Sequence, residues 1–114
     1  MTRMEELRIQ QMMRMGCCVC AWIELPNSAA ECHHLLDGGR RMGDWFTIPL
    51  CSSHHRGTEW SEAIPVKYRV AISDGRKAFT RVLPTERELW EWVQERLGLM
   101  WPTVSKIVPR MVAP

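Results

Sequence analysis

Metal-binding side chains are concentrated in one short stretch of this chain. All five cysteines lie between residues 17 and 51, and all four histidines lie between residues 33 and 55. The set consists of Cys17, Cys18, Cys20, Cys32, Cys51, His33, His34, His54 and His55. Thiolate and imidazole are ligands that zinc and related divalent ions favour in proteins. We therefore expect this stretch to fold around metal, and no other feature constrains the chain as strongly.

Two pairs of these residues have the spacing of a zinc knuckle. Cys17 and Cys20 form a Cys-x-x-Cys motif, and Cys51 and His54 form a Cys-x-x-His motif. Two intervening residues let a tight turn direct both side chains at one ion, and two such turns complete a tetrahedral Cys₃His site for Zn²⁺. A site closed by four protein ligands is structural, because no position remains for water.

Other interpretations of the cysteines are less consistent with the sequence. A single Cys-x-x-Cys motif can be a redox dithiol, but the chain lacks a thioredoxin-like βαβ pattern. An odd number of cysteines without an export signal argues against a disulfide framework. Cys18 and Cys32 are then interpreted as small buried hydrophobic residues.

Capping and turn signals predict an α+β fold with helices flanking a zinc-stabilised core. Residues 17–57 are expected to form a hairpin followed by a helix. The predicted elements are a helix from the Thr2 cap to about Met15, strands over 17–24, 31–36 and 45–51, a short helix begun by Ser52 or Ser53, a helix over 76–82, and a helix from Thr85 to near Gly98. The first helix is expected to turn its apolar side, with Leu7, Ile9, Met12 and Met13, toward other parts of the protein.

The length of 114 residues predicts a single domain over 1–114. We divide it into a zinc-containing core of about 16–60, accessory helices over about 61–98, and an extended proline-containing tail over 99–114. No apolar run approaches the ~20 residues that span a bilayer, and the N-terminus carries acids where a signal peptide would be basic and then apolar. We therefore expect a cytoplasmic protein without membrane association.

Three histidines remain outside the predicted zinc site, namely His33, His34 and His55. One such histidine would suggest ordinary packing. Two adjacent histidines before a glycine-rich loop, with a third beside a zinc knuckle, suggest a catalytic or metal-binding role. Histidine serves as a general base and as a neutral metal ligand near neutral pH. Residues 38–81, which adjoin the cluster, hold eight basic side chains against four acidic ones, a balance that suits a phosphate backbone.

These motifs resemble a known family. Cys17-x-x-Cys20, His33-His34 and the run Ile48-Pro49-Leu50-Cys51-Ser52-Ser53-His54-His55-Arg56-Gly57 are similar to HNH (ββα-metal, or His-Me finger) endonucleases with an embedded zinc ribbon. More narrowly, the chain resembles the phage Ref family of RecA-dependent nucleases, which it also resembles over residues 72–79 and 85–89. The resemblance covers about residues 16–98.

The resemblance implies a ββα-metal core and a role for each remaining histidine. It assigns His34 as the general base, His33 as a ligand of a catalytic divalent ion or of its water, and His55 as a ligand of that ion. Many HNH proteins have an asparagine that orients the base; the only asparagine here is Asn27, so we take Asp44 as the candidate. The implied cofactors are structural Zn²⁺ and a catalytic Mg²⁺, Mn²⁺ or other divalent ion.

The resemblance also implies a DNA endonuclease that acts in phage or prophage recombination or DNA processing in a bacterial cell. DNA is the expected partner, with RecA or a RecA-like filament as a second candidate. Arg40, Arg41 and Arg56 flank the histidines and could bind phosphates. The alternative function is a non-catalytic zinc-ribbon module that binds nucleic acid or protein. That alternative leaves the three remaining histidines without a role.

Overall fold

We describe residues 1–98 of a computed structural model. The elements in chain order are helix α1 (Arg3–Met15), helix α2 (Cys18–Trp22), strand β1 (Glu31–His34), strand β2 (Leu36–Asp37), strand β3 (Arg40–Arg41), strand β4 (Thr47–Leu50), helix α3 (Ser52–Arg56), two 3₁₀ turns (Val66–Tyr68 and Ile72–Asp74), helix α4 (Arg76–Thr80) and helix α5 (Glu86–Arg96). The predicted α+β class with flanking helices is confirmed. The predicted tail over 99–114 lies outside the described residues.

The centre of the fold is an antiparallel strand pair followed directly by a helix. Strand β1 pairs with β4 so that His33 lies opposite Ile48 and His34 lies opposite Thr47. All four residues of β4 are buried. The chain then turns at Cys51 into α3, so the predicted hairpin followed by a helix is present.

One predicted element is wrong. Residues 17–24 were expected to enter a strand, but Cys18–Trp22 form a short helix, α2. The Cys17 side chain caps this helix by accepting a hydrogen bond from the backbone N–H of Cys20. This local cap stabilises a helical turn in place of the expected strand and also brings the two cysteines together.

A buried arginine joins α1 to the rest of the protein. Arg8 is 3% exposed, and its guanidinium donates to Gln94 Oε1 at 2.6 Å, Thr47 Oγ1 at 2.8 Å and the Thr47 carbonyl at 2.9 Å. Burial lowers the pKa of Arg8 to about 10, so the side chain stays charged at neutral pH. The expectation that Leu7 faces inward is wrong, because Leu7 is exposed and Arg8 with Met12 forms the buried side of α1.

Helix α5 closes the other side of the core. The capping box predicted at Thr85 is present, since the Thr85 hydroxyl accepts from Glu88 N and the Glu88 carboxylate accepts from Thr85 N. Trp90 is fully buried and packs on Phe46 with ring centroids 4.9 Å apart. Among residues 1–98, no helix has the length and apolar character required to cross a membrane.

The Arg8 contacts generate a stability prediction. Arg8→Ala should lower the free energy of unfolding by about 3 kcal/mol or more, because it removes hydrogen bonds to a charged donor and leaves buried acceptors unpaired. Arg3→Ala on the same helix, whose side chain is 72% exposed, should change it by less than about 0.5 kcal/mol. Chemical denaturation of the zinc-loaded proteins measures both. Equal effects of the two substitutions would contradict the assigned role of Arg8.

Candidate metal centre and active site

The two knuckles meet in one buried cluster. The ligand atoms of Cys17, Cys20, Cys51 and His54 all lie within 4.8 Å of one another, and all four residues are buried. His54 Nδ1 is 3.7 Å from Cys17 Sγ, 3.7 Å from Cys20 Sγ and 3.3 Å from Cys51 Sγ. Tetrahedral ligands at about 2.3 Å from one ion would be about 3.8 Å apart. The donor set and the spacing fit Zn²⁺, and the four residues form a zinc-binding site.

Each knuckle uses the start of a short helix to direct two ligands at one point. Cys17 is the N-cap of α2 and Cys51 is the N-cap of α3. In both cases the cap thiol accepts a hydrogen bond from the backbone N–H of the ligand three residues later, Cys20 or His54. The x-x spacing therefore places the second ligand in the first turn of a helix, beside the thiol that caps it.

Contacts behind His54 fix the orientation of its ring. His54 Nε2 donates to the Tyr68 carbonyl at 3.0 Å, so that in the neutral ring the lone pair is on Nδ1, the nitrogen nearest the thiols. The Trp60 ring packs against His54 at 5.2 Å between centroids. Trp60 and Tyr68, which had no predicted role, thus pack against one zinc ligand and orient it.

Without an ion, protons are shared unequally among these ligands. Hydrogen bonds from Cys17 and then Cys20 lower the pKa of Cys51, while hydrogen bonds to Cys20 and then Cys51 raise the pKa of Cys17. Burial acts to lower the pKa of His54, but hydrogen bonds to Cys20 and Cys51 outweigh it and raise the pKa to about 9. Zinc binding must therefore displace protons from the cluster.

The two remaining cysteines, Cys18 and Cys32, lie outside the four-ligand zinc site. Cys18 is fully buried in the core, and burial raises the pKa of its thiol to about 12. Cys32 is partly buried on β1. Cys18 therefore behaves as the small buried hydrophobic residue that we predicted.

A second constellation lies on the same strand and helix. His33 on β1 and His55 on α3 face each other, with His33 Nδ1 3.3 Å from His55 Nε2. His34, the last residue of β1, has its Nε2 3.0 Å from Asp44 Oδ1. The structure thus brings the predicted residues together as two pairs, His33 with His55 and His34 with Asp44. Within residues 1–98, the zinc cluster is the group in which three or more candidate ligand atoms lie close together. In that part of the chain, His33 and His55 therefore offer a metal ion two ligands and no third.

Two carboxylates that the sequence analysis did not select complete this constellation. Glu86 Oε2 is 3.2 Å from His33 Nε2, and Glu31 Oε1 is 2.8 Å from His55 Nδ1. Burial acts to raise the pKa of Glu86, but the hydrogen bond with His33 and the charge of Arg76 give a net lowering. Hydrogen bonds from Arg56 and then His55 lower the pKa of Glu31. Both side chains are therefore carboxylates at neutral pH.

The predicted phosphate-binding arginines differ in their surroundings. Arg40 and Arg41 form the exposed strand β3 of the small hairpin that follows His34. Arg56 instead forms two hydrogen bonds with Glu31, at 3.0 and 2.6 Å, so its first contact is with the carboxylate that holds His55. Phosphate binding by Arg56 would have to compete with that ion pair.

A cavity of about 520 Å³ lies beside Glu86 and beside Leu35 and Leu36, which follow His34 in the chain. Its wall includes Leu35, Met42 and Ile72, and Arg76 and Arg87 contribute guanidinium groups. Glu86 belongs both to this wall and to the contact with His33. The cavity therefore opens beside the second constellation.

A comparison with known families identifies the group to which the chain belongs. A model of the family described as recombination enhancement, RecA-dependent nuclease matches residues 1–98. The chain belongs to this family. The match confirms the resemblance to RecA-dependent nucleases and extends it to the N-terminal helix that carries Arg8. No curated protein matches the chain.

The geometry of the zinc cluster generates a prediction for this nuclease-family chain. Cys51→Ser should give protein that lacks zinc and is unfolded or insoluble, because structural zinc can contribute on the order of 10 kcal/mol to folding. Cys32→Ser, which changes a thiol outside the cluster, should retain zinc and fold. Elemental analysis and circular dichroism of the two purified variants measure this. A folded Cys51→Ser protein without zinc would show that the cluster is not structural.

Proposed function

We propose that this chain is a metal-dependent DNA endonuclease of the HNH type, which hydrolyses phosphodiester bonds during phage or prophage recombination or DNA processing. The observation that carries the proposal is the second constellation, in which His33, His34 and His55 each have one ring nitrogen next to a carboxylate. A zinc-ribbon module that only binds a partner needs Cys17, Cys20, Cys51 and His54 and gives no reason for this arrangement. Membership of a nuclease family supports the catalytic alternative.

His33 and His55 fit a site for one exchangeable divalent ion. Their facing nitrogens are 3.3 Å apart, and two ligands at about 2.1 Å from one ion are about 3.0–3.4 Å apart. With two protein ligands, such a site keeps open positions for water and phosphate, unlike the closed Cys₃His cluster. A bound Mg²⁺ or Mn²⁺ would supply Lewis-acid stabilisation of the charge that develops on the phosphate and the leaving oxygen.

His34 is suited to take a proton from the attacking water. Asp44 accepts a hydrogen bond from His34 Nε2 at 3.0 Å, and the Thr47 hydroxyl donates to the Asp44 carbonyl at 3.1 Å. A carboxylate on Nε2 keeps the proton on that nitrogen, orients the ring and leaves Nδ1 free to act as a base. Asp44 thus takes the orienting role that an asparagine has in other HNH proteins.

Basic side chains and the neighbouring cavity provide surfaces for the DNA substrate. Arg40 and Arg41 project from an exposed hairpin that begins two residues after His34, where they can bind phosphates in a way that does not depend on sequence. The cavity beside Glu86 adds Arg76 and Arg87 above an apolar wall. A RecA or RecA-like filament is the proposed second partner, and the bacterial cytoplasm is the proposed location.

The proposal predicts that His34 is needed for cleavage and not for folding. Purified protein should cut single- or double-stranded DNA only with Mg²⁺ or Mn²⁺, tested with and without RecA filaments. His34→Ala should keep its zinc and its thermal unfolding midpoint but lose cleavage by roughly 10²-fold or more, the range for a general base. Full cleavage by the His34→Ala protein would contradict the role of His34 as general base, and wild-type protein that cuts no DNA under any of these conditions would favour the binding-module alternative.

The proposed DNA contacts generate a separate prediction. The double variant Arg40→Ala/Arg41→Ala should bind all DNA sequences more weakly and lower the slope of log affinity against log salt by roughly one unit per lost contact. The matched control, Arg3→Ala/Arg14→Ala, removes the same charge from α1. Fluorescence anisotropy over a range of salt concentrations measures both. A slope that falls equally in the control, or a change in sequence preference at constant slope, would contradict backbone binding by Arg40 and Arg41.

A further inference from the structure

Glu86 occupies a position on α5 where an apolar residue would be expected. It precedes Leu89 by three residues and Trp90 by four, and both of these are fully buried. Residues with this spacing share one face of a helix, and the Glu86 side chain is 14% exposed. A carboxylate on the core-facing side of a helix destabilises the protein unless it is paired. Its partners are His33 Nε2 at 3.2 Å and Arg76 Nε at 3.5 Å.

The carboxylate determines which nitrogen of His33 carries hydrogen. A neutral imidazole has one N–H donor and one lone pair, and a carboxylate can only accept. The hydrogen of His33 must therefore be on Nε2, toward Glu86, and the lone pair must be on Nδ1. By the same reasoning Glu31, 2.8 Å from His55 Nδ1, places the His55 hydrogen on Nδ1 and the lone pair on Nε2.

When both rings are neutral, the two lone pairs therefore lie on the nitrogens that face each other. The nitrogens that carry them, His33 Nδ1 and His55 Nε2, are 3.3 Å apart. Two acceptors at this separation repel, whereas a cation bound by both nitrogens would replace the repulsion with two favourable contacts. The two carboxylates together prepare a site with the polarity that a cation requires, before any ion has bound.

We propose that Glu86 and Glu31 are positioning residues that set the ring tautomers of His33 and His55 and thereby create a divalent-cation site between them. The inference rests on the proposed function, because it concerns the ion of that same site. It makes α5 part of the active site, since Glu86 lies 53 residues from His33 in the sequence and reaches it only through the tertiary fold. Outer carboxylates of this kind typically change metal affinity by about 10- to 100-fold when they are removed.

The first test measures ion binding and not activity. Zinc-loaded protein is titrated with Mn²⁺ in a calorimeter, and Glu86→Gln is compared with Glu91→Gln, which removes one charge from the same helix at a side chain that is 43% exposed. Glu86→Gln should weaken Mn²⁺ binding by about 10-fold or more with its zinc content and unfolding midpoint retained, while Glu91→Gln should bind as the wild type does. Equal Mn²⁺ affinity in the two variants would overturn the positioning role.

The second test needs no variant and so remains informative if Glu86→Gln does not fold. Nitrogen-15 NMR of the Mn²⁺-free, zinc-loaded protein reports which ring nitrogen of each neutral histidine carries hydrogen. The proposal requires the Nε2–H form for His33 and the Nδ1–H form for His55. The Nε2–H form of His55, or a mixture of forms for either ring, would overturn it.

The outcomes separate this inference from the proposed function. Wild-type protein that binds Mn²⁺ through the predicted tautomers but does not cut DNA would contradict the nuclease and leave the positioning role intact. Protein that cuts DNA and binds Mn²⁺ equally well with Glu86→Gln would retain the nuclease and contradict the positioning role.

Discussion

The Cys₃His cluster is the interaction on which the rest of the structure depends. It joins the start of α2 to the start of α3, and α3 follows directly from β4, so the ion holds the strand pair and the helix in one arrangement. His55 follows the ligand His54 on α3, so the arrangement that fixes α3 also fixes the position of His55. A small core gains from such a link because its own apolar burial contributes modest stability. The proposed reactive histidines therefore lie on elements that the zinc site holds in place.

The parts of the protein that the sequence predicted are those governed by local spacing. The zinc ligands follow from two x-x knuckles, and the N-terminal starts of α1 and α5 follow from capping boxes at Thr2 and Thr85. The strand predicted over 17–24 was wrong because the Cys17 thiol caps a short helix there. The pairing of His34 with Asp44 agrees with the selection of Asp44 as the orienting candidate, although its role remains a proposal.

The features that the sequence did not predict depend on contacts between distant residues. Arg8 meets Thr47 and Gln94, and Glu86 meets His33, through packing that no periodicity describes. Both charged residues occupy core-facing positions of a helix, where a pattern-based analysis expects an apolar side chain. The two residues differ in their partners. Arg8 donates to the neutral acceptors of Thr47 and Gln94 and so links α1 to β4 and α5, whereas Glu86 contacts His33 of the proposed active site. A charged residue on an otherwise apolar helix face thus indicates a specific buried partner. The identity of that partner is given only by the folded structure.

The central claim is that adjacent histidines serve two different ions, a permanent zinc at His54 and an exchangeable divalent ion at His55. The most direct measurement is the metal content and the fold of His54→Ala and His55→Ala, by elemental analysis and circular dichroism, before and after dialysis against a mild chelator followed by Mn²⁺. The account predicts that His54→Ala loses zinc and structure, whereas His55→Ala keeps zinc and fold and fails to take up Mn²⁺. Loss of zinc and structure in His55→Ala, with an intact fold in His54→Ala, would contradict the assignment of the two sites.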